Sequence, residues 1–554
     1  MAATNPAARA WDRLRLVADS AANGTTGNGT TGNGTTGNHP GDDHSGDRTG
    51  QIDPEFTAYP LHELAAAALQ RAADLGAQHA DFRAERIREQ QIQLSDGKLV
   101  TLFDGDDLGL AVRVVLDGTW GFASAVDLTQ AAALRAAEEA VEVARVAAAI
   151  NTERIELADE PAYGDVSWVS AYRVDPLQVS VADKVALLAG WSSGLLAHDR
   201  IDHADTSLHQ VRECKFFADG ATTALQQRVR LHPVVTAVAV EPGGRFETMR
   251  TLAPPAGRGL EYLGGSPWAG PGATAWDFPA ELAQMPGLLA GKLAAPSVRA
   301  GRYDLVIDPS NLWLTIHESI GHATELDRAL GYEAAYAGTS FATLDKLGSL
   351  QYGSPSVHVT GDRTAEHGLA TIGYDDEGVA TRSWDLITGG VLTGYQLDRR
   401  MARMQGFGRS NGCAFADSPA HMPIQRMANV SLRPAEGGPS TEELIAGVEN
   451  GIYILGDKSW SIDMQRYNFQ FTGQRFYKIE HGRLGGQLRD VAYQATTTDF
   501  WNSLETAGGP QTYVLGGAFN CGKGQPGQVA PVSHGCPAVL MRGVRILNTV
   551  EEGA

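Results

Sequence analysis

Two histidines and a glutamate fall within six residues, in the segment His-Glu-Ser-Ile-Gly-His at 317–322. Neutral imidazoles are common zinc ligands, and a glutamate beside them can act as general base toward a metal-bound water. Residues 308–316 (DPSNLWLTI) combine helix start signals with apolar residues, so they predict a buried helix that opens near residue 310. We therefore expect both imidazoles to point from this helix into the protein.

The spacing is one residue longer than the His-Glu-x-x-His pattern of zinc proteases. In an ideal α-helix, at about 100° per residue, His317 and His322 would lie roughly 140° apart and could not reach one ion. A π-bulge or an unwound turn would bring them together, and Gly321 would permit it. The sequence thus predicts distortion over Ser319 to Gly321. The spacing alone also fits two histidines that only form ordinary hydrogen bonds.

A catalytic zinc site needs a third protein ligand, because such sites combine three side chains with one open position. Glu325 and Asp327 are local candidates. Cys521 is a distant candidate in the glycine-rich segment 516–528, where Lys523 beside the thiol would favour the thiolate that binds metal. The residues alone leave these alternatives open, together with an inert, buried Cys521.

Several motifs in a fixed order resemble the TldD/PmbA family of metalloproteases, and specifically its metal-bearing, catalytic TldD branch. The resemblance extends from about Asp81 and is densest from Gly301 to the C-terminus. It implies that His317, His322 and Cys521 hold Zn²⁺ and that Glu318 is the catalytic base. Besides 317–322 and 521–525, the motifs lie at 325–327, 338–340, 372–378, 390–395, 420–427 and 450–453.

The resemblance further implies a zinc-dependent metallopeptidase that hydrolyses peptide bonds in short, unfolded or modified peptides, in maturation or degradation of peptides and natural products. Glu318 would act as general base on zinc-bound water. The expected partners are the peptide substrate and a metal-free PmbA/TldE-like subunit in a heterodimer, or a second copy in a homodimer. The alternative is a non-catalytic, metal-stabilised binding or regulatory subunit. Glu318 beside His317 favours the hydrolase, because a structural zinc needs no base there.

Composition and charge exclude other classes of function. With 43% apolar residues and a formal charge of -20, the chain reads as a soluble globular protein without general affinity for nucleic acid. We expect no membrane partner, because no uninterrupted apolar run approaches the length of a membrane span. The N-terminus lacks the pattern of a secretory signal, and four scattered cysteines form no disulfide framework, so the expected compartment is the cytoplasm.

The length of 554 residues predicts more than one domain, in an α+β fold. We assign residues 1–55, which contain the GTTGN repeats, to a disordered extension. Residues 56–297 are expected to form an N-terminal domain with an antiparallel sheet and packed helices. Residues 298–554 are expected to form a mainly β catalytic domain that carries the metal-binding helix. Expected helices lie at 8–22, 61–75, 128–149, 181–196 and 279–293, the last with a potential interruption at Pro286. An antiparallel meander is expected at 80–125, with turns at 95–97, 104–105 and 117–118.

Three further signals have competing explanations. The segment from Gly517 to Lys523 nearly matches a phosphate-binding loop, but Gly524 replaces its Ser or Thr and Pro526 obstructs the following helix, so we expect no nucleotide cofactor. His421 could line the cleft and polarise a substrate carbonyl, or could be structural. The acids at 375–377 could form a second metal cluster, but we favour a turn with solvated carboxylates.

Overall fold

The structure is a computed structural model that describes residues 51–263 and 275–551. The expected helix at 8–22 and the GTTGN repeats lie outside these residues. Within them, the predicted α+β class is confirmed: a helix-covered antiparallel sheet is followed by a β-rich C-terminal part. None of the helices in the described ranges is both long enough and apolar enough to cross a membrane.

The N-terminal part is built on one seven-stranded sheet. Its strands are β1 His79–Ser95, β2 Lys98–Leu116, β3 Thr119–Ala125, β4 Gly164–Val169, β5 His203–Ala218, β6 Thr222–Val240 and β7 Phe246–Arg250. Their order is β3-β2-β1-β5-β6-β4, with β7 also beside β6. The strands β1–β3 and β5–β7 form two antiparallel meanders, which are joined through the antiparallel pair of β1 and β5. Only β4 pairs in parallel, with β6.

Helices cover one face of this sheet. They are α1 Pro54–Thr57, α2 Leu61–Asp74, α3 Gln130–Ala147, α4 Val181–Leu196 and α5 Phe278–Ala294, with short 3₁₀ turns at Pro176–Gln178 and Leu260–Leu263. Along β1, Phe82 and Ala84 pack against α2 and α3, whereas Ile92 packs in the cluster with α4 and α5. The helices expected at 61–75, 128–149 and 181–196 are confirmed.

One local prediction in this part is wrong. Residues 104–105 form no turn, because β2 continues through them, with Asp104 opposite Gln90 and Gly105 opposite Glu89 on β1. The Asp104 carboxylate accepts a hydrogen bond from the Gln90 side-chain amide, which fixes it within the strand pair. The helix expected at 279–293 is confirmed as α5, and the potential interruption at Pro286 does not occur, because the chain stays helical through this residue.

The chain folds onto the sheet before residue 56. Asp53 is buried, caps α1 and forms an ion pair with Arg212 on β5 at 2.7 Å. The first described residues therefore already pack on the N-terminal sheet.

The C-terminal part is built on a second seven-stranded sheet. Its strands are β8 Gly301–Ile307, β15 Asn450–Ile462, β16 Asn468–Glu480, β17 Arg483–Leu488, β18 Val491–Thr496, β19 Leu504–Ala507 and β22 Val539–Asn548. The order is β15-β8-β22-β18-β16-β17, with β19 beside β22. Because β15 also pairs with β16, five of these strands close into a ring.

Smaller elements surround this ring and carry parts of the candidate site. The strands are β9 Val359–Asp362, β10 Ser383–Thr388, β11 Val391–Leu392 and β14 Asn429–Leu432 in one sheet, and the hairpins β12 Ala414–Phe415 with β13 Ile424–Gln425 and β20 Val514–Gly524 with β21 Gly527–Cys536. The helices are α6 Pro309–Ile316, α7 Leu326–Ala329, α8 Arg399–Met404, α9 Thr441–Ala446 and α10 Thr497–Asn502, with 3₁₀ turns at Leu344–Lys346 and Pro510–Thr512.

Buried ion pairs join the helix-free face of the N-terminal sheet to the C-terminal part. Arg113 on β2 binds Glu377 at 2.9 Å, and Lys215 on β5 binds Asp376 at 2.7 Å. The acids at 375–377 do form the expected turn, but they are buried, so the prediction that they are solvated is wrong. Carboxylates are retained in such an interior because opposite charges and hydrogen-bond donors face them.

Candidate metal centre

The helix that carries the two histidines starts and widens at defined residues. Asp308 caps α6, its carboxylate accepting a hydrogen bond from the Ser310 backbone N–H, and Pro309 occupies the first turn. From His317 to Gly321 the helix becomes a π-helix, in which the N–H of His322 donates to the carbonyl of His317. The predicted distortion is thus confirmed. The wider turn returns His322 to the side of His317, with ring centroids 4.7 Å apart.

Side chains from distant segments satisfy the carbonyls of the distorted turn. The hydroxyl of Tyr352 donates to the carbonyl of Ser319, and the side-chain amide of Gln396 donates to that of Gly321 at 2.7 Å. The Ser319 hydroxyl bonds back to the Thr315 carbonyl and accepts from the indole N–H of Trp501. Because buried carbonyls need partners, these contacts stabilise the π-helix over a regular one.

Gly321 contributes close packing, which differs from the role that the sequence suggests. Its φ of -53° is an ordinary helical value that any residue can adopt. A Cβ at this position would lie only 2.6 Å from the sulfur of Met427 and 3.6 Å from the ring of His534. The glycine therefore permits close packing behind the histidines, not an unusual backbone conformation.

The structure brings His317, His322 and Cys521 around one point. Their candidate ligand atoms all lie within 4.8 Å of one another, and the Cys521 sulfur is 3.7 Å from Nε2 of His322. Cys521 lies on β20, next to a register shift in its pairing with β21. All three side chains are buried. Two imidazoles and a thiol form a donor set suited to Zn²⁺, which prefers nitrogen and sulfur ligands in compact sites.

His534 holds the ring of His317 in place. His534 lies on β21, and its Nδ1–H donates to the carbonyl of Val430 at 2.9 Å, so its Nε2 is the acceptor atom. That Nε2 lies 2.7 Å from Nδ1 of His317, which must therefore donate. This arrangement directs Nε2 of His317 toward Cys521 and His322. Partners of this kind fix the tautomer and orientation of metal ligands.

Glu325 holds the ring of His322 in place through a hydrogen bond, as His534 does for His317. Its carboxylate accepts a hydrogen bond from Nδ1–H of His322 at 2.8 Å. Lys523 lies 3.3 Å from the same carboxylate and 2.6 Å from Asp327. Lys523, His322 and Arg328 outweigh the effect of burial and hold the pKa of Glu325 well below its usual value. Glu325 and Asp327, the local ligand candidates, thus lie behind the histidine instead of within the ligand group.

Local charges favour the ligating form of the cysteine. Burial opposes ionisation of Cys521, but His317 and then Arg426 outweigh it and lower the pKa of the thiol. The sequence suggested that Lys523 would lower this pKa, but Lys523 instead forms ion pairs with Glu325 and Asp327. Burial, reinforced by Arg328, lowers the pKa of His322 well below its usual value, which keeps this imidazole neutral and able to bind metal.

Glu318 is buried and paired with an arginine from a distant turn. Nη1 of Arg466 donates to its carboxylate at 2.6 Å. Arg466 adopts the left-handed φ of +64°, in the turn between β15 and β16. The Asp463 carboxylate stabilises this strained turn by accepting backbone N–H bonds from Gln465, Tyr467 and Asn468. The turn therefore holds the Arg466 guanidinium against the Glu318 carboxylate.

His421 lies apart from the three-residue donor group. Its exposed ring lies on the loop between β12 and β13 and forms a 2.6 Å contact with Asp417. The near match to a phosphate-binding loop, 517–523, forms part of β20 and opens no helix.

Sequence reasoning missed His534 and Arg466. His534 had one weak signal, its alternation with Val532 and Cys536 at inward positions of a strand. Arg466 had no local signal, because its partner lies 148 residues earlier in the chain.

Replacing His534 should weaken metal binding without removing a ligand. We expect His534→Leu to lower zinc affinity by about 10- to 100-fold, because Nδ1 of His317 loses its acceptor. His534→Gln, which can still accept a hydrogen bond there, should lose less. Competition against a chromophoric chelator measures both. Equal affinity in folded His534→Leu and the native protein would contradict the role of this residue.

Removing the Arg466 charge should impair turnover while zinc content is preserved. A buried charge-assisted hydrogen bond contributes roughly 1.5–3 kcal/mol, so we expect Arg466→Met to lower kcat/KM by about 10- to 100-fold. Arg466→Lys keeps the charge and should recover part of the loss. Peptide kinetics with parallel zinc analysis test this. Identical losses in the Met and Lys variants would show that the turn matters only structurally.

Comparison with known proteins identifies the family. Residues 300–548 match the family model described as PmbA/TldA metallopeptidase C-terminal domain, and residues 80–144 match PmbA/TldA metallopeptidase domain 1. Together the matches span more than half of the chain. This α+β protein with a buried His-His-Cys group therefore belongs to the PmbA/TldD family of metallopeptidases.

Full-length relatives carry corresponding names. A metalloprotease of Methanothermobacter thermautotrophicus is 27% identical over 475 residues, which cover 85% of this chain and 96% of the relative. A zinc metalloprotease TldD homolog of Saccharolobus solfataricus is 24% identical over 489 residues, covering 86% and 98%.

Solved structures share the fold at lower identity. A putative modulator of a DNA gyrase from Thermotoga maritima superposes with a TM-score of 0.67 at 16% identity, covering 88% of this chain and all of the other. TldE from Thermococcus kodakarensis gives 0.62 at 14% identity, covering 86% and 98%.

Proposed function

We propose that this chain is a zinc-dependent peptidase of the TldD type, with Glu318 as the general base. The proposal is carried by the preassembled group of His317, His322 and Cys521. Glu318 is buried, follows His317 in the chain and lies near enough for its charge to act on that imidazole. A metal with only a structural role would not need that carboxylate.

The donor set fits Zn²⁺ by its chemistry. His317 and His322 would each offer an Nε2 lone pair, because their Nδ1 atoms are engaged by His534 and Glu325. Cys521 would offer a thiolate. Without a metal, its low pKa depends on a protonated His317, whose own pKa Cys521 raises, so Zn²⁺ would take the place of that proton on Nε2. A bound Zn²⁺ would supply a Lewis acid that makes a water molecule more acidic and polarises a peptide carbonyl.

The protein's own groups would move the proton. Glu318 would accept the proton of the attacking water and then deliver it to the amine that leaves. Arg466 would hold the Glu318 carboxylate in one orientation through its 2.6 Å contact. Burial of the carboxylate and of all three candidate ligands limits the access of bulk water to these groups.

The depth of the site supports short, unfolded or modified peptides as substrates, in maturation or degradation. A folded protein could not present a peptide bond to side chains as buried as Glu318, which favours an extended segment as the substrate. His421, exposed and oriented by Asp417, is the candidate for contact with the peptide outside the ligand group. The proposed compartment is the cytoplasm, and the proposed partner is a PmbA/TldE-like subunit or a second copy of this chain.

Metal analysis combined with a peptide-cleavage assay tests the proposal. The purified protein is incubated with a library of short peptides, with and without a chelator, and with and without an added PmbA-like subunit. Cleavage that a chelator abolishes and zinc restores is expected. Stoichiometric zinc without cleavage under any of these conditions would overturn the peptidase and favour a metal-stabilised binding or regulatory subunit.

A further inference from the structure

The β20–β21 hairpin that carries Cys521 belongs to no larger sheet. Among the strands that the structure describes, β20 and β21 pair only with each other. Their register shifts between Ala518 and Cys521. At this bulge two residues of β20, Phe519 and Asn520, oppose the single Pro531 of β21. Because a bulge bends its strand and redirects the side chains, the direction of the Cys521 thiol depends on the contacts that hold the bulge.

Phe519 anchors this bulge on the N-terminal sheet. Its side chain is buried and packs with Val211 on β5 and with Leu369. Its ring centroid lies 4.4 Å from that of His209 on β5, and the guanidinium carbon of Arg230 on β6 lies 5.8 Å from it. Aromatic and cation–π contacts of this kind add to the free energy gained by burial. Two strands of the N-terminal part thus hold the bulge.

The surface that receives Phe519 is fixed by contacts within the N-terminal sheet. Nε2 of His209 lies 2.6 Å from the carboxylate of Glu89 on β1. Arg230 donates to the carboxylate of Glu213 on β5 at 3.0 Å. Both ring partners of Phe519 are therefore held in one orientation by residues outside the hairpin, so they can impose a position on it.

Leu369 forms a second connection between the hairpin and the same sheet. Its backbone N–H donates to Oγ of Ser533 on β21 at 3.0 Å. Its carbonyl accepts a hydrogen bond from Nη1 of Arg228 on β6 at 3.0 Å. Since Leu369 also packs against Phe519, both strands of the hairpin are connected to the N-terminal sheet at the level of the bulge.

We propose that Phe519 is a positioning residue of the metal centre, which sets the place of the Cys521 sulfur relative to His317 and His322. The N-terminal sheet contributes none of these three candidate ligands, yet it would determine how well they are preorganised. Preorganised ligands bind more tightly, because less ordering remains to be done when the ion binds. The inference rests on the proposed zinc binding and not on peptide hydrolysis.

Zinc affinity measures this role directly. We expect Phe519→Ala to lower zinc affinity by about tenfold, near the lower limit for groups behind a metal ligand, because the bulge loses its anchor. Phe519→Leu keeps a large apolar side chain and should stay within about threefold of the native affinity. Competition against a chromophoric chelator gives both values. In protein loaded with Co²⁺, the absorption band of the thiolate–cobalt bond should also weaken in Phe519→Ala.

Phe415→Ala is the matched control. Phe415 on β12 is another buried aromatic residue that faces cations of the N-terminal sheet. Nζ of Lys215 and the guanidinium carbon of Arg228 lie 4.2 Å and 5.1 Å from its ring centroid. Its hairpin carries no candidate ligand. Phe415→Ala should therefore lower thermal stability as Phe519→Ala does, but leave zinc affinity and the cobalt spectrum unchanged.

Removal of the partner ring tests the contact from the other side. His209→Ala should lower zinc affinity about as much as Phe519→Ala, although His209 lies in the N-terminal part. The double variant should lose about tenfold and not about a hundredfold, because one contact can be removed only once. Circular dichroism checks that each variant is folded.

Three outcomes would overturn the positioning role and leave the proposed peptidase untouched. They are native zinc affinity in folded Phe519→Ala, an equal loss in Phe415→Ala, and additive losses in the double variant. The expected pattern of zinc affinities in a protein that cleaves no peptide would instead refute the peptidase alone.

Discussion

Glu318→Gln should reduce peptide hydrolysis by about a thousandfold, the scale of general base catalysis, while the protein keeps its zinc. The amide cannot accept the proton of the attacking water. Its oxygen can still accept the hydrogen bond from Arg466, so the local geometry is preserved. Single-turnover hydrolysis of a peptide identified in the library assay, with zinc measured by mass spectrometry, gives both quantities.

Glu261→Gln is the matched control for this prediction. Glu261 is also a buried glutamate, but its carboxylate accepts backbone N–H bonds from Val174 and Gly259 in the N-terminal part. Its replacement should leave the rate per bound zinc unchanged. A Glu318→Gln protein that hydrolyses peptide at the native rate would mean that another group is the base.

Cys521→Ser should lower zinc affinity by more than about a hundredfold. This exceeds the loss of about 10- to 100-fold that is typical when a residue hydrogen-bonded to a metal ligand is replaced. A serine hydroxyl stays protonated near neutral pH, so the ligand group loses its only anion. Activity at limiting zinc should fall in proportion. If zinc binds the native protein as proposed, it should stabilise it by about 2.7 kcal/mol at a hundredfold excess over Kd, and this stabilisation should largely disappear in the variant.

Cys536→Ser provides the comparison for Cys521. Cys536 is equally buried, on the neighbouring strand β21, but its sulfur lies beside the carbonyl of Pro309 and outside the donor group. This variant should bind zinc with native stoichiometry. Full zinc content and activity in Cys521→Ser would show that the third ligand is another residue.

The sequence allowed prediction of features encoded in local spacing. Apolar periodicity placed α2, α3 and α4, and the five-residue separation of His317 and His322 required the widened turn that the helix contains. The fold class was likewise predictable, because alternating strands with turn residues, helical segments and later glycine-rich strands are each visible in the sequence. Cys521 was one of several open alternatives until the fold placed its sulfur beside His322.

Features that depend on distant contacts were not predictable. Asp376 in isolation resembles a solvated turn residue, since its partner Lys215 lies 161 residues away. His534 is an ordinary strand histidine until the fold places it against His317. The continuity of β2 through Asp104 depends on β1, whose Gln90 engages a side chain that normally favours turns. In these cases contacts with buried partners outweigh the local sequence propensity, because the partners satisfy the hydrogen-bonding needs of the polar groups.

The candidate ligands come from two segments separated by 199 residues, counted from His322 to Cys521. During synthesis the helix with its histidines leaves the ribosome long before the strand with the thiolate. A nascent chain that ends between them can hold an ion only through the two imidazoles. If the group binds a metal as proposed, capture with full affinity must follow docking of the β20–β21 hairpin, so the proposed hydrolytic centre would mature only after most of the surrounding structure has formed.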